Sequence, residues 1–167
     1  MRERVQGLLS AGPPVARQHF AWLPRLSNDS VRLFERSLAA AFPAGPPVYV
    51  CSSLKEEFGI AVLEAMDAGL LAIAPRSGGA SWYIKPGMTG FLADTSSAWS
   101  LATDLSAILG QHQSQRALAA IARQGQKTVQ AEYGIESSAR KFAAYYRRLL
   151  SPSPSHSAAE ADAALLK

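Results

Sequence analysis

The chain has 167 residues, of which 48% are hydrophobic and 18% are charged, and its mean hydropathy is close to zero. These values indicate one soluble globular domain with a core. The formal net charge is +4, and the basic residues are scattered along the sequence except for Arg140-Lys141 and Arg147-Arg148 near its end. It predicts mild attraction to anionic ligands or lipid head groups, and it lacks the basic stripe interleaved with aromatics that a nucleic-acid-binding protein shows.

Other function classes lack their sequence signals. The single Cys51 indicates a small core residue in a reducing compartment rather than a disulfide framework. The three histidines are isolated from one another, so no metal site is predicted. The first residues lack the apolar run of a signal peptide, and prolines interrupt the uncharged stretch 37–54, so no transmembrane segment is predicted. We therefore expect a cytoplasmic protein, either free or peripheral to a membrane.

The predicted elements alternate between helices and strands. Residues 1–10 predict a short helix and residues 15–23 a weak strand, and Ser30 is a plausible N-cap for a helix that ends at Phe42. The later patterns predict a buried strand over 47–51, a helix over 58–68 with Gly69 as its C′ residue, strands over 71–74 and 91–93, and helices over 98–109, 115–131 and 135–150.

This alternation predicts an α/β fold with a parallel, doubly wound sheet of three or four strands. In the last helix a stripe at helical spacing is predicted to be core: Ile135, Ala139, Phe142, Tyr146 and Leu149. Residues 1–150 are predicted to form the domain, and residues 151–167 a flexible tail that begins with a Ser/Pro linker.

Two carboxylates, Glu56 and Glu64, stand eight positions apart across a strand-to-helix junction. A carboxylate accepts hydrogen bonds from both hydroxyls of a vicinal diol, and a separation of about 12 Å along a helix could suit the two sugars of a nucleotide-sugar. The helix N-terminus between them suits a diphosphate. For an arbitrary pair of this spacing the ordinary explanation is one Glu that complements the helix dipole and one that faces water.

The stretch Ser53–Gly69 contains Ser, then Glu-Glu-Phe-Gly, then Glu-Ala-Met and Ala-Gly. It resembles the signature of the retaining GT-B glycosyltransferases of family 4. Two later pieces agree in order and spacing, namely Gly78-Gly79 after a strand and Gly-Met-Thr-Gly-Phe-Leu over 87–92. The resemblance implies a Rossmann-like parallel sheet with flanking helices, which would be part of the C-terminal, donor-binding half of a GT-B fold, incomplete at its N-terminal side.

The resemblance also implies the site. Glu56 would be the catalytic residue and would contact hydroxyls of the transferred sugar, and Glu64 would bind the ribose of the nucleotide. Five further residues would bring their backbone close to the donor: Phe58, Gly59, Ile60, Gly78 and Gly79. The donor substrate would be a nucleoside-diphosphate sugar, and neither a cofactor nor a metal is implied. A plain turn after a strand is the alternative explanation of the Gly pair.

The chain departs from the family pattern in four places. Glu57 stands where Gly is usual, Trp82 where Glu is frequent, Leu71 where Pro is common and Pro86 where Asp is common. The family's diphosphate-binding Arg and Lys cannot be assigned, because no Lys precedes Val48.

The acceptor-binding domain of the family has no counterpart in this sequence. We expect a fragment of a hexosyltransferase that needs an acceptor domain in cis or in trans. The alternative is a catalytically inactive nucleotide-sugar-binding or assembly module that needs the same partner. A phosphorylase or a sugar-nucleotide epimerase is a weaker option, since neither is expected to show this motif. Sugar, base and acceptor stay open.

Overall fold

The computed structural model describes residues 2–42, 45–110 and 114–151. The chain divides into two compact units, Met1–Val31 and Arg32–Lys167. The first unit contains α1 (Arg2–Ala11) and α2 (Pro14–Gln18). The strand predicted over 15–23 is wrong, because Pro14 takes the first position of α2, where its missing N–H costs no hydrogen bond, and residues 19–27 form neither helix nor strand.

In the described part of the second unit a parallel sheet has three strands in the order β1 (Val48–Val50), β2 (Leu71–Pro75) and β3 (Phe91–Ala93). Tyr49 is aligned with Ala72, and Ile73 with Phe91. All five residues of β2 are buried, as expected of a continuous apolar run in a parallel sheet. The predicted α/β class and the two later strands are confirmed.

The strand predicted as buried over 47–51 is confirmed in position and wrong in burial. In β1 the side chains of Val48 and Val50 are 36% and 37% exposed, whereas Tyr49 is partly covered. The strand order explains this difference. β1 stands at the end of the order, so within the described chain it is paired along one edge only.

Five helices belong wholly or mostly to the second unit: α3 (Asn28–Ala41), α4 (Ile60–Asp67), α5 (Ala98–Leu109), α6 (Gln115–Glu132) and α7 (Ile135–Leu150). Ser30 is not the N-cap of α3, because the helix begins at Asn28 and the Oγ of Ser27 accepts the N–H of Ser30 at 3.3 Å. Gly69 is confirmed as the C′ residue of α4. It has φ +91°, and its N–H and that of Leu70 donate to Met66 and Ala65, which is a Schellman ending.

The core lies on both faces of β2. Ala72 and Ala74 pack with Val62 and Met66 of α4, and a separate cluster joins the other face of the strand to α5 and α6. Two members of that second cluster are Leu71 and Leu118. The sheet therefore holds α4 at a fixed position relative to the carboxyl ends of the strands.

The stripe predicted as core in α7 is wrong. Ile135 is 84% exposed, Phe142 64%, Tyr146 59% and Leu149 61%. The buried residue of α7 is Ser137, and within the second unit the helix contacts α6. Helical spacing shows that a helix is amphipathic, but it does not show what covers its apolar side. The predicted tail lies outside the described residues after Ser151.

Candidate functional site

The loops that follow β1 and β2 pair with each other at the carboxyl end of the sheet. Glu56 and Gly78 form a parallel bridge, in which Glu56 N–H donates to Ser77 at 3.2 Å and Gly79 N–H donates to the Glu56 carbonyl at 2.8 Å. A Cβ at Gly78 would collide with that same carbonyl oxygen, and one at Gly79 with the carbonyl oxygen of Glu57. The Gly pair is therefore required by the approach of the two loops, and its role toward a ligand stays a prediction.

The start of α4 is held by a buried tyrosine. Helix α4 begins at Ile60, two residues later than predicted, after Gly59 with φ +80°. The Oη of Tyr83 donates to the carbonyl of Phe58 at 2.7 Å, and it lies 2.5 Å from the position that a Cβ of Gly59 would take. Burial first, and then the charge of Glu56, raise the pKa of Tyr83 to about 12. The first N–H groups of α4 are thus left without helical acceptors at the junction.

The Glu56 carboxylate is half-buried within this junction. Its Oε2 lies 3.6 Å from the Sγ of Cys51, which is itself a buried core residue as predicted. Glu56 therefore stays close to the end of β1 rather than extending into bulk solvent.

Glu64 lines a cleft of about 620 Å³, here called the α3–α4 cleft, together with Arg32, Glu35, Phe58, Ile60 and Tyr133. Arg32 donates from Nη2 at 3.0 Å and from Nε at 3.3 Å to Oε1 of Glu64. Glu35 is 7% exposed, and its Oε2 has no hydrogen-bond partner. Burial first, and then the charge of Glu64, raise the pKa of Glu35.

A second cleft of about 420 Å³, here called the Gly-pair cleft, is lined by Lys55, Phe58, Gly78, Gly79, Trp82 and Tyr133, among others. Phe58 and Tyr133 belong to both clefts. The residues predicted from the motif therefore lie around one strand–helix junction, but they do not share one cleft. Ile60 and Glu64 line the α3–α4 cleft, the Gly pair lines the other, and neither cleft is lined by Glu56 or Gly59. Trp82 is 81% exposed beside the Gly pair, so its ring is available to a ligand.

The charge of Glu57, which departs from the family pattern, is paired. Its Oε1 lies 2.7 Å from the Nζ of Lys55, and the Glu57 side chain is 81% exposed. This pairing offsets the negative charge that Glu57 adds beside the Gly-pair cleft.

The sequence analysis missed Arg32, Glu35 and Tyr83. Arg32 reaches Glu64 across 32 positions, and no local pattern links α3 to α4. Residues 2–42, 45–110 and 114–151 contain no group of three or more His, Cys, Asp and Glu side chains placed to hold a metal. In those same ranges we find no helix with the length and apolar character to span a bilayer.

The family model for glycosyl transferases group 1 matches residues 17–125, well over half of the chain. The chain therefore belongs to the group 1 glycosyltransferase family. No curated protein sequence matches it.

Solved structures of GT-B glycosyltransferases share its fold. Sucrose-phosphate synthase from Thermosynechococcus elongatus is 24% identical, covers 89% of this chain and has a TM-score of 0.68. The C-terminal domain of a group 1 glycosyl transferase from Francisella tularensis is 21% identical over 80% of the chain, with a TM-score of 0.58. Anabaena HepE in complex with UDP-glucose is 22% identical over 60% of the chain, with a TM-score of 0.50.

The chain spans only part of these proteins. It covers 34% of the synthase, 63% of the Francisella domain and 27% of the Anabaena protein.

Proposed function

We propose that this chain binds a nucleoside-diphosphate sugar and supplies the donor-binding half of a retaining hexosyltransferase of GT-B family 4. The observation that carries the proposal is the pairing of the Glu56 loop with the Gly78-Gly79 turn at the carboxyl end of a parallel sheet. Ligands of open α/β folds bind at this edge. The Anabaena relative is in complex with UDP-glucose, which supports a donor of the same class here.

Each part of the junction has a chemical role in this proposal. Glu56 accepts hydrogen bonds from hydroxyls of the transferred sugar and orients it without acting as a nucleophile. Glu64 accepts hydrogen bonds from the ribose hydroxyls. The N-terminus of α4, with the backbone of Phe58, Gly59 and Ile60, stabilises the diphosphate as it leaves from an oxocarbenium-like transition state.

We propose that an acceptor-binding domain, in cis or in trans, completes the enzyme. Two features of the described chain support this. The apolar stripe of α7 is exposed. Val48 and Val50 are exposed as well, and they belong to β1, which is an edge strand of the described sheet. Exposed apolar patches of this kind are typical of interaction surfaces. A cytoplasmic location, free or peripheral to a membrane, stays a prediction.

The second candidate is a catalytically inactive binding or assembly module. The observation that favours it is Glu57, which stands where Gly is usual in the family and adds a carboxylate beside the Gly-pair cleft. A purified chain that transfers sugar unaided would reject this candidate. Activity that appears only when an acceptor-domain partner is added would support the donor-binding half.

Calorimetric titration tests the proposed function. Wild type, E56A, E64A and D29A are titrated with UDP, GDP and ADP and with the corresponding nucleotide-sugars. E56A is expected to lose affinity for the nucleotide-sugar and keep that for the nucleotide, whereas E64A loses affinity for both. D29A removes an exposed acid from the first turn of α3 and is the control for net charge. Unchanged affinities in both Glu variants would reject the site.

A further inference from the structure

Two ion pairs join α3 to α4, one helical turn apart. Arg32 meets Glu64 at 3.0 Å, and Arg36 meets Asp67 at 3.3 Å. Both arginines are more than half exposed, with side-chain exposures of 56% and 66%. The two pairs therefore connect the same helices in similar surroundings, but only the first includes a residue predicted to touch the donor.

The ion pair between Arg32 and Glu64 consists of two hydrogen bonds. Nε and Nη2 both donate to the single oxygen Oε1 of Glu64. Two donors from one planar guanidinium hold that oxygen close to the guanidinium plane. Arg36 reaches Asp67 with Nη2 alone, and Asp67 also accepts from the side-chain amide of Gln130 at 3.1 Å.

The electrostatic surroundings of Glu64 make a cation beside it important. Glu35, the buried carboxyl on α3, has its pKa raised by burial and then by the charge of Glu64, so the two acids repel each other. Arg32 lies on the same helix, three residues before Glu35, and its charge offsets that repulsion. With Arg32 removed, Glu64 would face the second carboxyl of the α3–α4 cleft without this cation.

We propose that Arg32 is a positioning residue, which orients Glu64 so that its carboxylate accepts hydrogen bonds from the ribose hydroxyls of the donor nucleotide. This inference rests on the proposed function and assigns the ribose end of the donor to the α3–α4 cleft. An ion pair as exposed as this one contributes little to folding stability. Its loss should therefore change ribose recognition far more than the thermal midpoint.

The test compares UDP with 2′-deoxy-UDP by calorimetry. If the proposal holds, wild type prefers UDP by about tenfold, the usual size of a hydrogen bond to a charged group. R32A loses this preference, and R32K recovers part of it. R76A, which removes an exposed ion pair with Asp104 that lines neither cleft, keeps the preference. The double variant R32A/E64A shows no loss of preference beyond that of E64A alone.

The outcomes separate this inference from the function. A full preference in R32A overturns the inference and leaves nucleotide binding intact. Binding of UDP by wild type without any ribose preference also overturns it. A wild-type chain that binds none of UDP, GDP and ADP overturns the proposed function and the inference with it. If R32A does not fold, R32Q is measured in its place, and an intact preference in R32Q overturns the inference.

Discussion

The hydroxyl of Tyr83 donates a hydrogen bond to the carbonyl of Phe58, 25 positions earlier in the chain, at 2.7 Å. It ties the turn after β2 to the residue before Gly59. We expect the free energy of unfolding of Y83F to be about 1 kcal/mol lower than that of wild type, because the Phe58 carbonyl loses its donor. Nucleotide affinity should fall as well, since the start of α4 is less well held. Urea unfolding and titration with UDP measure the two effects, and unchanged values for both would show that the bond does not hold the junction.

The same tyrosine predicts a dependence of stability on pH. Its pKa is raised from 10.0 to about 12, so the unfolded chain loses this proton first as the pH rises. The contribution of Tyr83 to the free energy of unfolding is therefore complete below pH 10. Above that pH it declines by about 1.4 kcal/mol per pH unit until the pKa of the folded chain is reached. Y83F lacks this group and should show a shallower decline above pH 10. Equal slopes for the two proteins would contradict the assignment.

Local patterns predicted the elements that depend on local interactions. The continuous apolar run predicted β2, and a Gly after a helical pattern predicted the Schellman ending at Gly69. The pattern over 135–150 predicted the bounds of α7 but not the exposure of its stripe. Periodicity reports how a helix divides its polar and apolar sides, whereas burial depends on what lies against them.

The site was predictable to a similar extent. The motif brought Glu56 and the Gly pair to one strand–helix junction, because they follow neighbouring parallel strands. The contact between Arg32 and Glu64 depends on how two helices pack across 32 positions, and single-sequence patterns carry no information on that packing. The unpartnered oxygen of Glu35 is equally invisible in sequence, since its burial arises from that same packing.

Glu35 predicts a second effect of pH on stability. Burial and the charge of Glu64 raise its pKa above 4.5, so the unfolded chain releases this proton at lower pH than the folded chain. The contribution of Glu35 to the free energy of unfolding is therefore complete below pH 4.5, and it is lost as the pH rises through the pKa of Glu35 in the folded chain. The side chain of E35Q is neutral at every pH. The stability of E35Q minus that of wild type should therefore be larger at pH 7 than at pH 4.

Thermal unfolding at the two pH values measures this difference. E132Q, which makes the same substitution at an exposed Glu of α6, is the matched control for replacing a Glu by Gln. A stability difference between E35Q and wild type that is the same at pH 4 and pH 7 would contradict the proposed titration of Glu35.

Gly78 predicts a larger loss of stability on substitution than Gly87, another glycine with a positive φ. Gly78 and Gly87 both have positive φ, at +102° and +74°, but a Cβ at Gly87 meets nothing within 4 Å. G87A should therefore lose about 1 kcal/mol from backbone strain alone. G78A adds the collision with the carbonyl of Glu56, and its φ of 102° and ψ of −159° lie in a region essentially restricted to Gly, so it should lose clearly more. Urea unfolding compares the two, and equal losses would show that the loops adapt without cost.

Trp82 predicts an effect on binding with little effect on stability. Its ring is 81% exposed and lines the Gly-pair cleft, so it is placed to stack on a base or a sugar face. W82A should weaken nucleotide-sugar binding by about 1 kcal/mol, or roughly fivefold in affinity. The thermal midpoint should stay close to that of wild type, because the ring is not packed in the core.

Trp99 is the matched control for this variant. It is 78% exposed on α5 and lies outside the residues that line the Gly-pair cleft. W99A therefore removes an indole of similar exposure without changing that cleft, and its affinity should equal that of wild type. A loss of affinity that is the same in W82A and W99A would reflect a general effect of removing a surface tryptophan, and it would remove Trp82 from the donor site.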